Sequence, residues 1–406
     1  MDDVHILNKV FFINSVCGTG SVGRIVAGLM KELKSRGVDS FAAYGRKRAP
    51  EELPSRRIGS ELDVLCHGAL SRITDRHGLY SVRATKRLVE IIREYDPDLI
   101  HLHNIHGYYL NYPVLFDYLK TSGKRLVWTL HDCWTFTGHC THYSYLGCRR
   151  YKKGCGSCPQ LREYPASFFM DASEKNLARK KECFSHLPGL RLVTPSEWLK
   201  DEVETSFMAE YPISVIPTGI DPDVFSPKPE EGAALRARYG LDGKKVILGV
   251  ANPWRERKGI NDFAALSEML DERFKLVMVG LKEKQIRQLP KSILALPGTD
   301  CAESLAAWYT LSDVYLNLTL EDTFPTTNLE ALSCGTAVVT YDSGGSREAL
   351  TENTGIVVER GDLNGVIRAL KTVITEQTRY TSELCMERAA LYSAEKRFHQ
   401  YVEEVY

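Results

Sequence analysis

The chain has 406 residues, too many for one ordinary hydrophobic core, so two domains of roughly 200 residues each are expected. Its 52 basic and 52 acidic residues cancel, which removes the global field that would draw it to nucleic acid, and 43% hydrophobic with 26% charged residues is the balance of a soluble globular protein. No apolar run approaches the ~20 residues of a membrane span, and the acidic Met1–Asp3 start lacks a signal-peptide pattern, so a cytoplasmic location is expected.

In chain order, Lys9–Ser15 reads as an apolar strand, followed by the turn Cys17–Gly23 (Cys-Gly-Thr-Gly-Ser-Val-Gly) and an amphipathic helix to about Arg36. A strand, a glycine-rich turn and a helix N-terminus together cradle anions with backbone N–H groups, which makes Gly18 and Gly20 candidate binding positions. The plainer reading is a tight turn that needs small residues. Phe41–Gly45 is a second strand and Arg46–Arg57 a polar loop. The segment to about Tyr95 is helical and basic, with Arg72, Arg76, Arg83, Lys86, Arg87 and Arg93. Such a run is ordinarily a solvated face; an anionic headgroup surface is the sharper reading. Leu99–Asn104 and Arg125–Asp132 are strands that carry histidines to their C-terminal ends, where function collects in α/β folds. His131, next to Asp132, is the candidate site residue there, against the plainer reading of a core histidine.

An irregular, aromatic, cysteine-rich loop follows over residues 133–158. Cys155-Gly-Ser-Cys158 has the spacing of one half of a structural zinc site, with Cys140 and Cys148 as the other half and Cys133, His139 and His142 in reserve. A loop this long needs something to order it, and four thiolates on zinc would do so. Disulfides and plain buried thiols are the alternatives; a thioredoxin-like context is missing. Ser173–Leu187 is read as a helix, Leu190–Ser196 as a strand, Glu197–Phe207 as a helix and Ile213–Gly219 as a strand. Three prolines in Ile220–Pro229 mark a linker, which puts the domain boundary near residue 220.

The second half, residues 221–380, restarts the alternation. Lys245–Ala251, Phe274–Gly280, Ser292–Pro297, Val314–Leu320, Ala337–Asp342 and Gly355–Glu359 read as strands separated mostly by helices, which implies parallel sheets covered on both faces. Arg255, Arg257 and Lys258 gather between the first of these strands and its helix, a combination that suits a diphosphate. Asp322–Gly335 reads as a strand exit, Pro325, then a short helix with Thr327 as N-cap and Glu330 at capping-box spacing. It carries two carboxylates, Asp322 and Glu330, whose plainer reading is a loop residue and a helix cap. Asp342–Glu348 is another glycine-rich turn. Residues 381–406 read as one C-terminal helix, too aromatic to dangle and placed to cross back onto the first domain.

These segments together resemble retaining GT-B glycosyltransferases of the family four type: two Rossmann-like doubly wound domains facing a cleft. The likeness rests on Arg255–Gly259, Thr323–Gly335, Gly344–Glu348 and the linker Thr218–Pro227; the cysteine loop resembles a subset similar to colanic-acid and other exopolysaccharide transferases. Two departures stand out: the first of the family's two glutamates is Asp322, with Glu321 as competitor, and the usual arginine five positions before Lys258 is Pro253. The resemblance implies that Glu330 binds the nucleotide ribose, Asp322 the transferred sugar, and Lys258 with Arg255 or Arg257 the diphosphate. Thr323, Phe324, Pro325, Thr326 and Thr327 complete the donor-binding stretch. His131 would point at the donor sugar, and Gly18 and Gly20 would line the cleft from the acceptor side. No catalytic metal is expected. The partners implied are a nucleotide-sugar donor and a saccharide or lipid-linked acceptor, with peripheral contact at the inner face of the membrane. The competing readings are a non-catalytic sugar or nucleotide binder, a scaffold, and a GT-B epimerase or phosphorylase.

Overall fold

The structure is a computed structural model that describes residues 7–406; the Met1–Asp3 start lies outside the described residues. The chain divides into two compact units, one ending at Pro217 and completed by Arg397–Tyr406, the other running Thr218–Lys396.

The first unit is built on seven strands: β1 (Lys9–Asn14), β2 (Asp39–Tyr44), β3 (Ser55–Arg57), β4 (Leu99–Leu102), β5 (Arg125–Thr129), β6 (Leu190–Thr194) and β7 (Ile213–Val215). They lie in the order β3-β2-β1-β4-β5-β6-β7, and every pair is parallel. Val10 to Ile13 of β1 are all fully buried, because helices cover both faces of the sheet and leave no side for polar alternation. The short β3 falls inside the stretch expected to be a polar loop; Ser55–Arg57 is held by pairing with Ala42–Tyr44 rather than by apolar content. The basic stretch before Tyr95 is two helices, Glu61–Thr74 and Val82–Tyr95, broken where Asp75 adopts left-handed backbone.

The second unit carries six parallel strands: β8 (Lys245–Val250), β9 (Phe274–Val279), β10 (Leu294–Leu296), β11 (Val314–Asn317), β12 (Val338–Tyr341) and β13 (Gly355–Val358). Their order is β10-β9-β8-β11-β12-β13. In both sheets the strand order reverses beside the first strand, between β1 and β4 and between β8 and β11. Loops leaving those strand ends open onto the crevice where such sheets bind ligands.

The C-terminal stretch is not one helix. Ser382–Ala390 and Ala394–Glu404 are separated at Ser393, which bridges to Ile220: Ala394 N–H donates to the Ile220 carbonyl (2.7 Å) and Ile220 N–H to the Tyr392 carbonyl (2.9 Å). Residues 397–406 then pack in the first unit: Phe398 lies over Gly28, Arg36 pairs with Glu403, and the Tyr406 hydroxyl shares a hydrogen bond with the buried His101. Among the described residues no helix is long and apolar enough to cross a membrane.

Candidate active site

In the second unit, the loop after β8 passes through buried Trp254, whose indole N–H donates to the Val279 carbonyl, and makes one 3-10 turn over Glu256–Lys258. Gly259 then starts the helix Ile260–Met269 at φ +77°, and a Cβ there would sit 2.2 Å from the Leu318 carbonyl oxygen. Only glycine lets the two loops approach this closely. Arg257 braces that junction: one guanidinium nitrogen donates to the Glu321 carbonyl (2.6 Å), and its own carbonyl accepts from Leu320 N–H (2.8 Å). Lys258 projects differently and forms an ion pair with the Asp322 carboxylate. Arg255 is exposed.

Asp322 stands at the exit of β11, opposite the β8 loop across the point where strand order reverses. Its backbone is gripped by the glycine-rich turn, since Gly345 N–H donates to the Asp322 carbonyl (3.0 Å) and a Cβ on Gly344 would fall 1.9 Å from the same oxygen. Glu321, the competing acid, is fully buried, whereas Asp322 keeps its carboxylate part-exposed beside Lys258.

The helix Thr326–Ser333 begins two residues earlier than expected, with Pro325 rather than Thr327 as N-cap and no side-chain cap. Glu330 is therefore not closing a capping box. Its carboxylate accepts from the Tyr309 hydroxyl (2.8 Å) and from Thr326 (3.4 Å), which aims it across the helix start. Burial, then the Glu330 charge, pushes the Tyr309 phenol well up, so it stays a donor. The charges of Glu330 and Asp322 both help to raise the buried Tyr315 phenol, after burial itself, which places the two acids around one side chain. Asn328 ties the helix to β11 through Asn317 (2.8 Å) and to the glycine turn through the Ser346 carbonyl (2.9 Å). Thr323 and Phe324 are buried, with Phe324 6.0 Å from the Tyr392 ring, so they shape the loop from inside; Thr326 and Thr327 are half-buried.

In the first unit, Gly18 has φ +68° and packs so tightly on Pro50 that a Cβ would come within 2.5 Å. Gly20, at the start of the helix Gly20–Ser35, has φ +69° and nothing within 4 Å of the Cβ position. The turn thus combines one structurally required glycine with one that faces open space. His131 follows β5 and stacks on His103, ring centroids 5.3 Å apart, with Nε2 3.0 Å from His103 Nδ1. Burial lowers His131 to about 4, so it is neutral at physiological pH. Asp132 pairs not with His131 but with His106 (2.9 Å) and accepts from Trp134 N–H. Burial works to raise Asp132, yet His106, His142 and the Trp134 N–H together outweigh it and hold the carboxyl at about 2.

The four candidate zinc ligands come to one place. Cys140, Cys148, Cys155 and Cys158 do line one hollow of about 20 Å³. Among the described residues, however, no three His, Cys, Asp or Glu side chains form a group that could hold a metal ion, and no cysteine is in a disulfide. Cys140 shares a hydrogen bond with Cys158, and Gly138 N–H donates to Cys155 Sγ (3.3 Å). What orders the loop is buried polar and aromatic packing. Tyr143 and Tyr151 both donate to Glu202 (2.6 and 2.9 Å), and Asp75 holds His139 (2.5 Å). Lys180, fully buried, donates to the Trp134 and Thr137 carbonyls and sits 3.5 Å above the Trp134 ring. Sequence reasoning missed these partners, and likewise Tyr309 and His103, because each lies far along the chain from the residue it holds.

Sequence profiles meet both units. Glycosyltransferase Family 4 matches residues 22–224, half of the chain, and Glycosyl transferases group 1 matches residues 244–376. The chain belongs to glycosyltransferase family 4. This family member is 23% identical, over 94% of its length and 96% of the relative's, to an Escherichia coli K12 protein described as a colanic acid biosynthesis glycosyl transferase, WcaC. Over 39% of its length and 45% of the relative's, it is 29% identical to the alpha-galactosylglucosyldiacylglycerol synthase of Streptococcus pneumoniae. Its fold is that of sucrose-phosphate synthase from Thermosynechococcus elongatus (TM-score 0.71, 18% identity, 98% of each chain). It is also that of Anabaena Alr3699/HepE, solved with UDP-glucose (TM-score 0.66, 16% identity, 97% and 98% covered). The fold is thus GT-B, and the family 4 protein is a transferase that uses a nucleotide-sugar donor.

Proposed function

We propose that this family 4 enzyme transfers a monosaccharide with retention of anomeric configuration to a saccharide or lipid-linked saccharide in surface polysaccharide synthesis. The observation that carries the reading is the Lys258–Asp322 pair at the strand-order reversal, with Glu330 on the adjoining helix. Lys258 and the first-turn N–H groups of the two neighbouring helices take the charge that develops on the leaving diphosphate. Glu330, aimed by Tyr309, accepts from the ribose hydroxyls, and Asp322 accepts from the transferred sugar. His131 is the candidate sugar contact of the first unit. The likeness to WcaC supports the polysaccharide assignment. The test is to incubate the enzyme with UDP-glucose or GDP-mannose and a lipid-linked saccharide, following nucleoside diphosphate release and the product anomer. Acceptor-dependent release with the donor's anomeric configuration supports the reading; an inverted product overturns it.

The acceptor side includes a membrane surface on the cytoplasmic leaflet. Seven of the eleven large apolar side chains that stand exposed among the described residues belong to one helix and one loop: Leu62, Leu65, Leu70 and Ile73, and Phe168–Met170. The loop is hydrogen-bonded to that helix, Phe168 N–H donating to the Arg72 carbonyl (2.8 Å). Exposed Arg72 and Arg76 border these residues, the combination by which amphipathic surfaces enter anionic bilayers. Phosphatidylglycerol vesicles should sediment the enzyme, and Leu65→Glu with Phe169→Glu should abolish this; unchanged sedimentation refutes the assignment.

A further inference from the structure

His103 and His131 share one hydrogen bond, and it has only one proton to share. His103 is 1% exposed, its carbonyl accepts from the Trp128 indole N–H (3.0 Å), and its backbone N–H donates to Ile13 (2.9 Å). The ring is thereby pinned at the end of β4, with the tilted His101 ring behind it at 4.1 Å between centroids. Its other nitrogen, Nε2, is buried with no hydrogen-bond partner. If His131 Nε2–H donated to His103 Nδ1, neutral His103 would carry its own proton on Nε2, leaving a buried donor with no acceptor. Orphaned buried N–H groups are rarer in folded proteins than under-satisfied acceptors. The opposite arrangement leaves only a bare lone pair at that position.

We infer that His103 is a positioning residue that holds His131 in its Nδ1–H tautomer, so that His131 serves the transfer as a hydrogen-bond donor and not as a general base. Nε2 of His131 is occupied as the acceptor of the His103 proton, and Nδ1 already bears a proton. Neither nitrogen then presents the free lone pair that proton abstraction requires. His101 supports the stack: both its nitrogens are engaged, with Tyr406 (2.6 Å) and Thr129 (2.8 Å). The inference rests on the reading of His131 as a group that contacts the donor sugar.

The tautomer is read directly from long-range ¹H–¹⁵N correlations of the imidazole rings in the full chain, with His131 assigned by its loss in His131→Asn. A protonated Nδ1 and an unprotonated Nε2 on His131 are expected; a proton on Nε2 overturns the inference. His103→Asn keeps an N–H where Nδ1–H lies and should preserve both tautomer and turnover. His103→Met should leave His131 as a tautomer mixture and lower kcat about tenfold at unchanged UDP affinity, as a lost orienting hydrogen bond would. An unchanged His131 spectrum in folded His103→Met also overturns it. If the spectrum is as stated but His131→Leu turns over normally, the role of His131 fails while the tautomer stands.

Discussion

Replacing Lys258 by Met removes the cation while keeping most of its apolar stem. The Lys258 and Asp322 side chains are 25% and 17% exposed, so the pair is screened by partial solvent and an effective dielectric constant of ~20 is appropriate. A cation at ~3 Å from a phosphate oxygen then interacts by about 5 kcal/mol per unit charge, and a half-charge developing on the leaving group by about 3 kcal/mol. That corresponds to a loss of about 100-fold in kcat. The stability cost of losing a part-exposed ion pair should stay within about 1 kcal/mol. The assay is nucleoside diphosphate release at saturating donor, paired with thermal unfolding and UDP titration. Asp322→Asn is the contrast: kcat falls because the sugar loses its acceptor, while UDP affinity holds or rises, since Lys258 no longer divides its charge with a carboxylate. Turnover of folded Lys258→Met within threefold of the parent would refute the electrostatic argument.

Three further outcomes are expected. Tyr309→Phe should weaken UDP binding by about 1 kcal/mol, the worth of a hydrogen bond to Glu330, and Glu330→Ala should weaken it more; calorimetric titration measures both. Gly344→Ala should destabilise by more than ~2 kcal/mol, because the new methyl meets the Asp322 carbonyl at 1.9 Å, whereas Gly20→Ala should cost only the ~1 kcal/mol of left-handed backbone; denaturant unfolding separates them. Acid should destabilise the protein. His67 and His131 are each lowered by burial from 6.5 to about 4, so the unfolded chain takes up their protons first. Their stabilisation is complete above pH 6.5 and is lost as pH falls toward 4, at ~1.4 kcal/mol per pH unit per histidine. His77, His101 and His103, shifted in the same direction by burial, add to this. The unfolding midpoint should therefore drop more steeply from pH 6.5 to 5 than from 8 to 6.5.

The parallel strands were legible in the sequence because a strand covered on both faces must be apolar at almost every position, as in Val10–Ile13 and Val246–Leu248. Their C-terminal ends followed, and with them Lys258, Asp322 and Glu330. Where local signals misled, a distant partner decided. Glu330 has the spacing of a helix cap, but Tyr309, 21 residues earlier, claims its carboxylate. Asp132 is adjacent to His131 in sequence and bonded instead to His106. Arg257 looks like a phosphate ligand, and one of its guanidinium nitrogens also binds a backbone carbonyl of the β11 loop, 64 residues away. The buried Lys180, Glu202 and Asp75 that hold the cysteine loop lie outside it, so its own spacing could not announce them. Residues 381–406 have helical periodicity throughout, and nothing local announces that Ser393 will be drawn to Ile220.

The return of residues 397–406 to the first unit reverses the usual order of maturation. Domains generally fold as they leave the ribosome, N-terminal first. Here Tyr401 and Tyr406, which close over Thr129 and His101, are made after the whole of Thr218–Lys396. The later-encoded unit is therefore covalently whole before the earlier one, whose central histidines keep an open flank until residues 397–406 have been translated.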